Sequence, residues 1–399
     1  MKISSWVILF SLIGVSFSVH AEDRLSLDRF LGEAREQNLD LKVNSAQVKA
    51  SKANAVGVNL PPPMVALTQM QDQSGQASGF EISQNVPFPT KLSNDHSSRT
   101  YESQAREKMS QITEKQILAQ GRLLYFNLWR EQERLDLLRE KKNVIQQHIK
   151  LATAGARSDN FLRIHVLKAE SDFDLLESEI LDSQQTLREL QIQMAEFINK
   201  DSSQFKPVVD EPPLASLPST NELSAPAQLE VKALDLESLR AKESEARSSW
   251  FPDLNLRYRE SGGTSMNPRY NEVMLGVTLP FVFFWEPKAT TDKASVERLR
   301  GELEFNQEKR KIDSRKVSLL TKAESLRKQL DLLKEKLLPR AEKRMRLVHN
   351  LAPRDMETLQ DHRETMEAFP DLKMKALDLR MQYEEVAAEL QTYSSEKPQ

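Results

Sequence analysis

The stretch FLRIHVLKAESDFDLLESEILDSQQTLRELQIQMAEF, residues 161–197, decides the architecture. Its apolar positions are Leu162, Val166, Ala169, Phe173, Leu176, Ile180, Leu187, Leu190, Met194 and Phe197, with Ser183 holding one place in the series. The steps between them alternate four and three residues throughout. A 3.5-residue repeat keeps an apolar seam facing a partner only if the helices supercoil to the left. The same series returns at Phe369, Leu372, Ala376, Leu379, Tyr383, Val386, Leu390 and Tyr393, each 196 residues after its counterpart.

Any two coiled coils can be slid into register, so this match needs support from outside the helices. Asn85-Val86-Pro87-Phe88 matches Thr278-Leu279-Pro280-Phe281 at an offset of 193. Leu60-Pro61-Pro62-Pro63 matches Trp250-Phe251-Pro252-Asp253 at 190, and Asp40-Leu41-Lys42-Val43 matches Gln228-Leu229-Glu230-Val231 at 188. The offset drifts one way, as small insertions make it, so the chain reads as two copies of one unit. The seam between them, Gln204 to Gln228, carries Pro207, Pro212, Pro213, Pro218 and Pro226 and reads as a linker with no helix of its own.

Each copy has the order helix, strand, strand, long helix, long helix. The first, residues 22–203, is expected to hold a helix over about 27–58, strands near 63–71 and 79–87, and long helices over 92–150 and 160–199. After a Pro-rich linker at 204–226, the second, residues 227–399, repeats this with a helix over about 227–248, strands near 252–260 and 270–281, and helices over 288–349 and 355–394. Leu319, Ala323, Leu326, Leu330, Leu333 and Leu337 again step by four and three. The fold class is mainly α with a small β part. A pair of such helices cannot bury its own stripe fully, so neighbouring hairpins must pack side by side.

Composition fits this reading. Of 399 residues, 56 are Lys or Arg and 59 are Asp or Glu, a formal net charge of −3 that argues against a nucleic-acid partner held by bulk positive potential. The absence of Cys excludes disulfides, thiolate metal sites and a lipid-carrying Cys. Only 11 residues are Gly, which leaves little room for phosphate loops or a dinucleotide fold. Lys2, the apolar run Trp6 to Phe17 and Val19-His20-Ala21 read as a secretory signal over residues 1–21, cut after Ala21. Beyond it no stretch is apolar enough for a spanning helix, so any membrane-crossing part must be strands closed into a barrel.

The strands carry the alternation such a barrel needs. Phe80, Ile82 and Val86 fall on one face and Glu81, Ser83 and Asn85 on the other. Leu254, Leu256 and Tyr258 oppose Asn255, Arg257 and Arg259; Val273, Leu275, Val277, Leu279 and Phe281 oppose Met274, Gly276 and Thr278. The same period also suits a half-buried sheet on a soluble core. Polar loops at Asp72–Ser78 and Ser261–Pro268 join the paired strands, and Phe88, Phe281, Phe283, Phe284 and Trp285 gather where strand gives way to helix. That cluster fits a membrane-interface belt or a packing knot equally.

These residues resemble the TolC family of outer-membrane efflux and secretion channels over essentially the whole chain past the signal. The resemblance is carried by the duplicated unit, Trp250-Phe251-Pro252-Asp253-Leu254, Asn85-Val86-Pro87-Phe88-Pro89, Leu337-Leu338-Pro339-Arg340-Ala341 and the Gly155-Ala156-Arg157-Ser158 turn. The Pro-Phe-Pro exit is most similar to the branch serving heavy-metal and cation pumps, although Thr90 stands where that branch usually has Gly. The resemblance implies a homotrimer in the cell outer membrane whose protomers give four strands each to a twelve-stranded barrel. It implies helices forming an α-barrel through the periplasm, closed at the far tip. It implies no enzyme and no cofactor, only a passive exit duct joined through a periplasmic adaptor to an inner-membrane transporter.

The second tip departs from the family: His349-Asn350-Leu351-Ala352-Pro353-Arg354-Asp355 has no Gly. Arg354, Asp355, Glu357 and Asp361 are the gate candidates there; as helix-start charges, Asp355 and Glu357 also simply suit the dipole. Gly155, Ser158, Asp159 and Pro353 are the adaptor-contact candidates, with helix capping as their first role. Glu81, Asn255, Arg257, Arg259 and Glu272 line the lumen if the alternation is read correctly. None of the six His forms an i, i+4 pair, which argues against a metal site. Two rival functions are a protein-secretion duct and a periplasmic coiled-coil scaffold without a pore.

Overall fold

A computed structural model describes residues 24–73, 75–155, 160–219, 223, 226–266, 268–349 and 356–394. The signal segment and its Ala21 cleavage site lie outside these residues. Among the described residues, eight α-helices and four strands follow the expected order. They are α1 (Leu27–Gln37), α2 (Leu39–Asn54), β1 (Met64–Asp72), β2 (Gly75–Val86), α3 (Pro89–Gly155) and α4 (Asn160–Phe197) in the first copy. The second holds α5 (Ala227–Arg247), β3 (Leu254–Ser261), β4 (Tyr270–Val277), α6 (Trp285–Leu332), α7 (Leu338–His349) and α8 (Met356–Thr392).

Local chemistry sets the boundaries that differ from expectation. The helix expected over 27–58 is two helices, because Asn38 leaves helical geometry to cap α2: its side chain accepts from the Leu41 N–H at 3.1 Å. The same amide donates to the Phe197 carbonyl at 2.9 Å, tying the break to the end of α4. There α4 stops before the expected 199, with Asn199 in the left-handed region (φ 52°) and the Lys200 N–H reaching back to Ala195. The polar loop expected at Asp72–Ser78 is largely strand: β1 and β2 pair down to Asp72 with Gly75, whose φ of 141° suits only glycine. Strand β4 ends at Val277, short of 281, because Pro280 opens a 3-10 turn over Pro280–Phe283.

The spine of the molecule is α3, 67 residues long and about 100 Å by the helical rise. Toward the strands its neighbours run in the order α2, α3, α5, α6; toward the hairpin ends they run α4, α3, α8, α6. The seam residues Ala169, Leu176, Ile180, Ser183 and Met194 of α4 are buried as the heptad requires. Leu167, Leu175 and Leu181, on the opposite side of α4, stay exposed, as do Val296, Leu303 and Val317 of α6. The two flanking helices therefore each carry apolar residues that their own chain does not cover.

The core sits at mid-height, where the inter-repeat segment lies across the helices as a strap. Residues 207–219 carry no helix, and Val209 bridges Leu25 in parallel. The Tyr125 hydroxyl, buried in α3, donates to the Leu25 carbonyl at 2.7 Å, and burial pushes its pKa up to about 12. From α8, the Tyr383 hydroxyl donates to the Ala215 carbonyl at 3.1 Å and Glu384 accepts from the Ala215 N–H at 2.8 Å. Arg380 binds Glu211 and the Pro212 carbonyl while its guanidinium lies over the Phe126 and Trp129 rings.

Candidate functional site

Two regions carry the expected functional residues: the four-stranded sheet and the far ends of the long hairpins. The sheet is antiparallel with strand order β1-β2-β3-β4, so among the described residues no strand lies beside the outer edges of β1 and β4. Register puts Glu81 opposite Arg259, Ser83 opposite Arg257 and Asn85 opposite Asn255; Arg259 in turn faces Glu272. All five lumen candidates, Glu81, Asn255, Arg257, Arg259 and Glu272, thus share one face. Glu81 is buried there, held by Arg257 at 3.2 Å and Arg259 at 3.3 Å.

The other face is apolar and open. Val65, Leu67, Ile82, Leu254, Leu256, Val273, Leu275 and Val277 all stand exposed on it, Leu67 by 90%, Val273 by 79% and Leu275 by 67%. Among the described residues no helix packs across the sheet. A contiguous apolar surface of this size marks a face built to be covered by something else.

At the base of the sheet Asp253 knots the two copies together, a role the sequence reading missed although it had singled out Trp250-Phe251-Pro252-Asp253-Leu254. Its carboxylate accepts from the Phe88 N–H at 2.9 Å and from Lys91 at 2.7 Å. Its backbone N–H donates to the Thr278 hydroxyl at 2.8 Å. Phe88 stacks on Phe251 with ring centroids 4.7 Å apart. Phe281, Phe283, Phe284 and Trp285 instead point outward, 56–59% exposed, with Trp285 meeting the Phe283 and Phe284 rings edge-on. An internal packing knot does not describe them.

At the hairpin ends, Ser158, Asp159, Pro353, Arg354 and Asp355 lie outside the described residues. Gly155 is the last residue of α3, Glu357 sits in the first turn of α8, and Asp361 is exposed on α8. The tertiary structure adds a cluster that spacing did not show. Arg363 of α8 pairs with Asp172 of α4 at 2.7 Å and with Glu367 at 2.7 Å. Beneath this pair His148 of α3 is 8% exposed. Burial, then the charges of Arg363, His362 and His165, holds its imidazole down to about 4. Among the described residues no group of His, Asp or Glu is placed to hold a metal ion, and no helix is long and apolar enough to cross a membrane.

No family model matches the chain, and no curated protein matches it. Solved structures do. The chain is similar to CusC, described for transmembrane channel formation, with a TM-score of 0.75 at 14% identity over 92% of each chain. It is similar to the open state of the MtrE outer-membrane channel of Neisseria gonorrhoeae, with a TM-score of 0.73 at 15% identity over 92% of this chain and 88% of that one. The CmeC outer-membrane channel of Campylobacter jejuni matches with a TM-score of 0.74 at 12% identity, over 92% and 85% of the two chains. The resemblance drawn from the motifs is thus met at the level of architecture: this chain has the fold of the TolC-like outer-membrane channels.

Proposed function

We propose that this chain is a TolC-family outer-membrane channel: one protomer of a trimeric duct running from the periplasm to the exterior. The observation that carries the proposal is the sheet, with an exposed apolar face, a charged opposite face and two open edges. Three copies close twelve strands into one barrel, which satisfies every edge, turns the apolar face to lipid and the Glu81–Arg257–Arg259 face to water. The uncovered apolar residues of α4 and α6 meet the next copies around the ring. The exposed Phe281, Phe283, Phe284 and Trp285 then fall at the membrane–water boundary, where aromatic side chains concentrate.

The duct performs no reaction and needs no cofactor. It serves as the exit of a tripartite efflux system, with a periplasmic adaptor seated on the hairpin ends around Gly155, Ser158, Asp159 and Pro353 and an inner-membrane transporter behind it. The cargo is small molecules or metal cations. Arg354, Asp355, Glu357 and Asp361 are the proposed gate residues, the acidic ones selecting cations where three copies meet. The soluble scaffold reading leaves the open apolar face without a purpose.

Fractionation and conductance test this. The chain should leave the outer membrane in detergent as a heat-sensitive oligomer and conduct ions in a planar bilayer. A soluble periplasmic monomer would sink the channel reading.

A further inference from the structure

Near the hairpin ends, α3, α4 and α8 enclose a polar cavity of about 160 Å³. His148 of α3 borders it, and its Nδ1 is buried without a hydrogen-bond partner. The rest of the cavity's lining is His165, Lys168 and Asp172 from α4 and Gln360, Arg363, Glu364 and Glu367 from α8, and His362 of α8 also acts on His148 by its charge. A buried imidazole whose Nδ1 has no partner contributes little to holding three helices together, so its place there calls for another role. The ion pair from Arg363 to Asp172 beside it joins the second hairpin to the first.

The second hairpin is also built to bend just above this point. A π turn over Leu333–Leu337 interrupts the passage from α6 to α7, and Pro370 lies inside α8, where it has no N–H to give the Met366 carbonyl. The Arg315–Glu389 pair sets the antiparallel register, in which Lys334 lies level with Pro370. Both arms are thus weakened at one height, on the strand side of the Arg363–Asp172 pair.

We propose that His148 is the acid-sensitive element of a latch that holds the end of the second hairpin against the first, and that a proton taken up there from solvent releases α8 from α3 and α4. The inference rests on the reading of the hairpin ends as the closed end of a duct. The sign follows from linkage. In the closed state the imidazole stays neutral down to about 4. In the released state it titrates near the ordinary value of about 6.5, so the released state gains protons first as pH falls. The closed state keeps its full advantage above that value and loses it progressively toward the lower one. At pH 5 the ratio of closed to released falls by roughly 30-fold per chain.

Amide hydrogen exchange on the detergent-solubilised full-length chain reads this directly, at pH 7.5 and 5.0 with intrinsic rates corrected. Peptides spanning 143–155, 163–172 and 360–370 should open about 30-fold more often at the lower pH, while those at mid-height do not. His148→Asn should abolish the rise. Absence of the rise in the unaltered chain, or its survival in His148→Asn, overturns the proposal. Imidazole C2–H exchange on the unaltered chain gives a measure independent of any variant: a His148 midpoint at or above 6.5 overturns it too. Conductance at pH 7.5, recorded separately, judges the channel reading on its own.

Discussion

The two copies of the repeat share an order of elements but differ in stiffness. In the first, α3 runs unbroken from Pro89 to Gly155 and α4 carries no proline. In the second, the corresponding path is α6, a π turn and α7, and α8 contains Pro370. The physical cause is local. Pro339 has no N–H for the Glu335 carbonyl, and the chain answers with a wider turn in which the Leu338 N–H reaches Leu333. Pro370 likewise leaves the Met366 carbonyl without its helical donor. Duplication thus supplied two similar arms, and a few substitutions made one a post and the other a limb that can pivot.

The sharpest way to break this contrast is to move the proline. By the 196-residue offset Pro370 corresponds to Asp174, an exposed residue of α4. Asp174→Pro should cost about 3 kcal/mol or more by interrupting α4, visible as a lowered thermal midpoint of the oligomer. Pro370→Ala should move the other way, stiffening the second hairpin and slowing amide exchange around residues 360–370. If the two variants shift stability in the same direction, the post-and-limb distinction is wrong.

The sheet allows a second contrast, between its faces. Leu275→Arg on β4 should impair assembly by ~2–4 kcal/mol, while Asn85→Arg on the opposite face of β2 should be tolerated, as read by the yield of heat-sensitive oligomer. Thr278, on the polar side of the same alternation, would confound this test, because its hydroxyl accepts the Asp253 N–H at 2.8 Å. Equal losses at 275 and 85 would remove the lipid-facing assignment.

The smallest effects belong to the strap, which each copy holds with one tyrosine. Tyr125→Phe loses a donor to Leu25 and an acceptor for the Asp210 N–H, whereas Tyr383→Phe loses one donor to Ala215. Each lost bond is worth about 0.5–1.5 kcal/mol, so Tyr125→Phe should lower stability in denaturant by about twice as much. A larger loss at Tyr383 would place the principal clamp in the second copy.

Much of this was legible from spacing. The alternation of fours and threes fixes which side of each helix faces its partner, because helical geometry leaves a 3.5-residue repeat few other solutions. Period-2 alternation did the same for the strands, and all five lumen candidates fall on one face. The duplication was readable because it is linear in the chain. What spacing could not show are meetings between residues far apart in the chain. Asp253 bonds to Phe88 and Lys91, Arg363 reaches Asp172, and His148 comes beside His165 and His362. None of these has a local signature, since an i, i+4 search sees only one helix at a time. The strap is similar: five prolines announced a segment without a helix, but only its packing against Tyr125, Arg380 and Tyr383 made it part of the core. Sequence periodicity set the secondary structure and the side each element shows, because those depend on neighbours along the chain; which buried polar groups meet was decided by how the helices lie against one another.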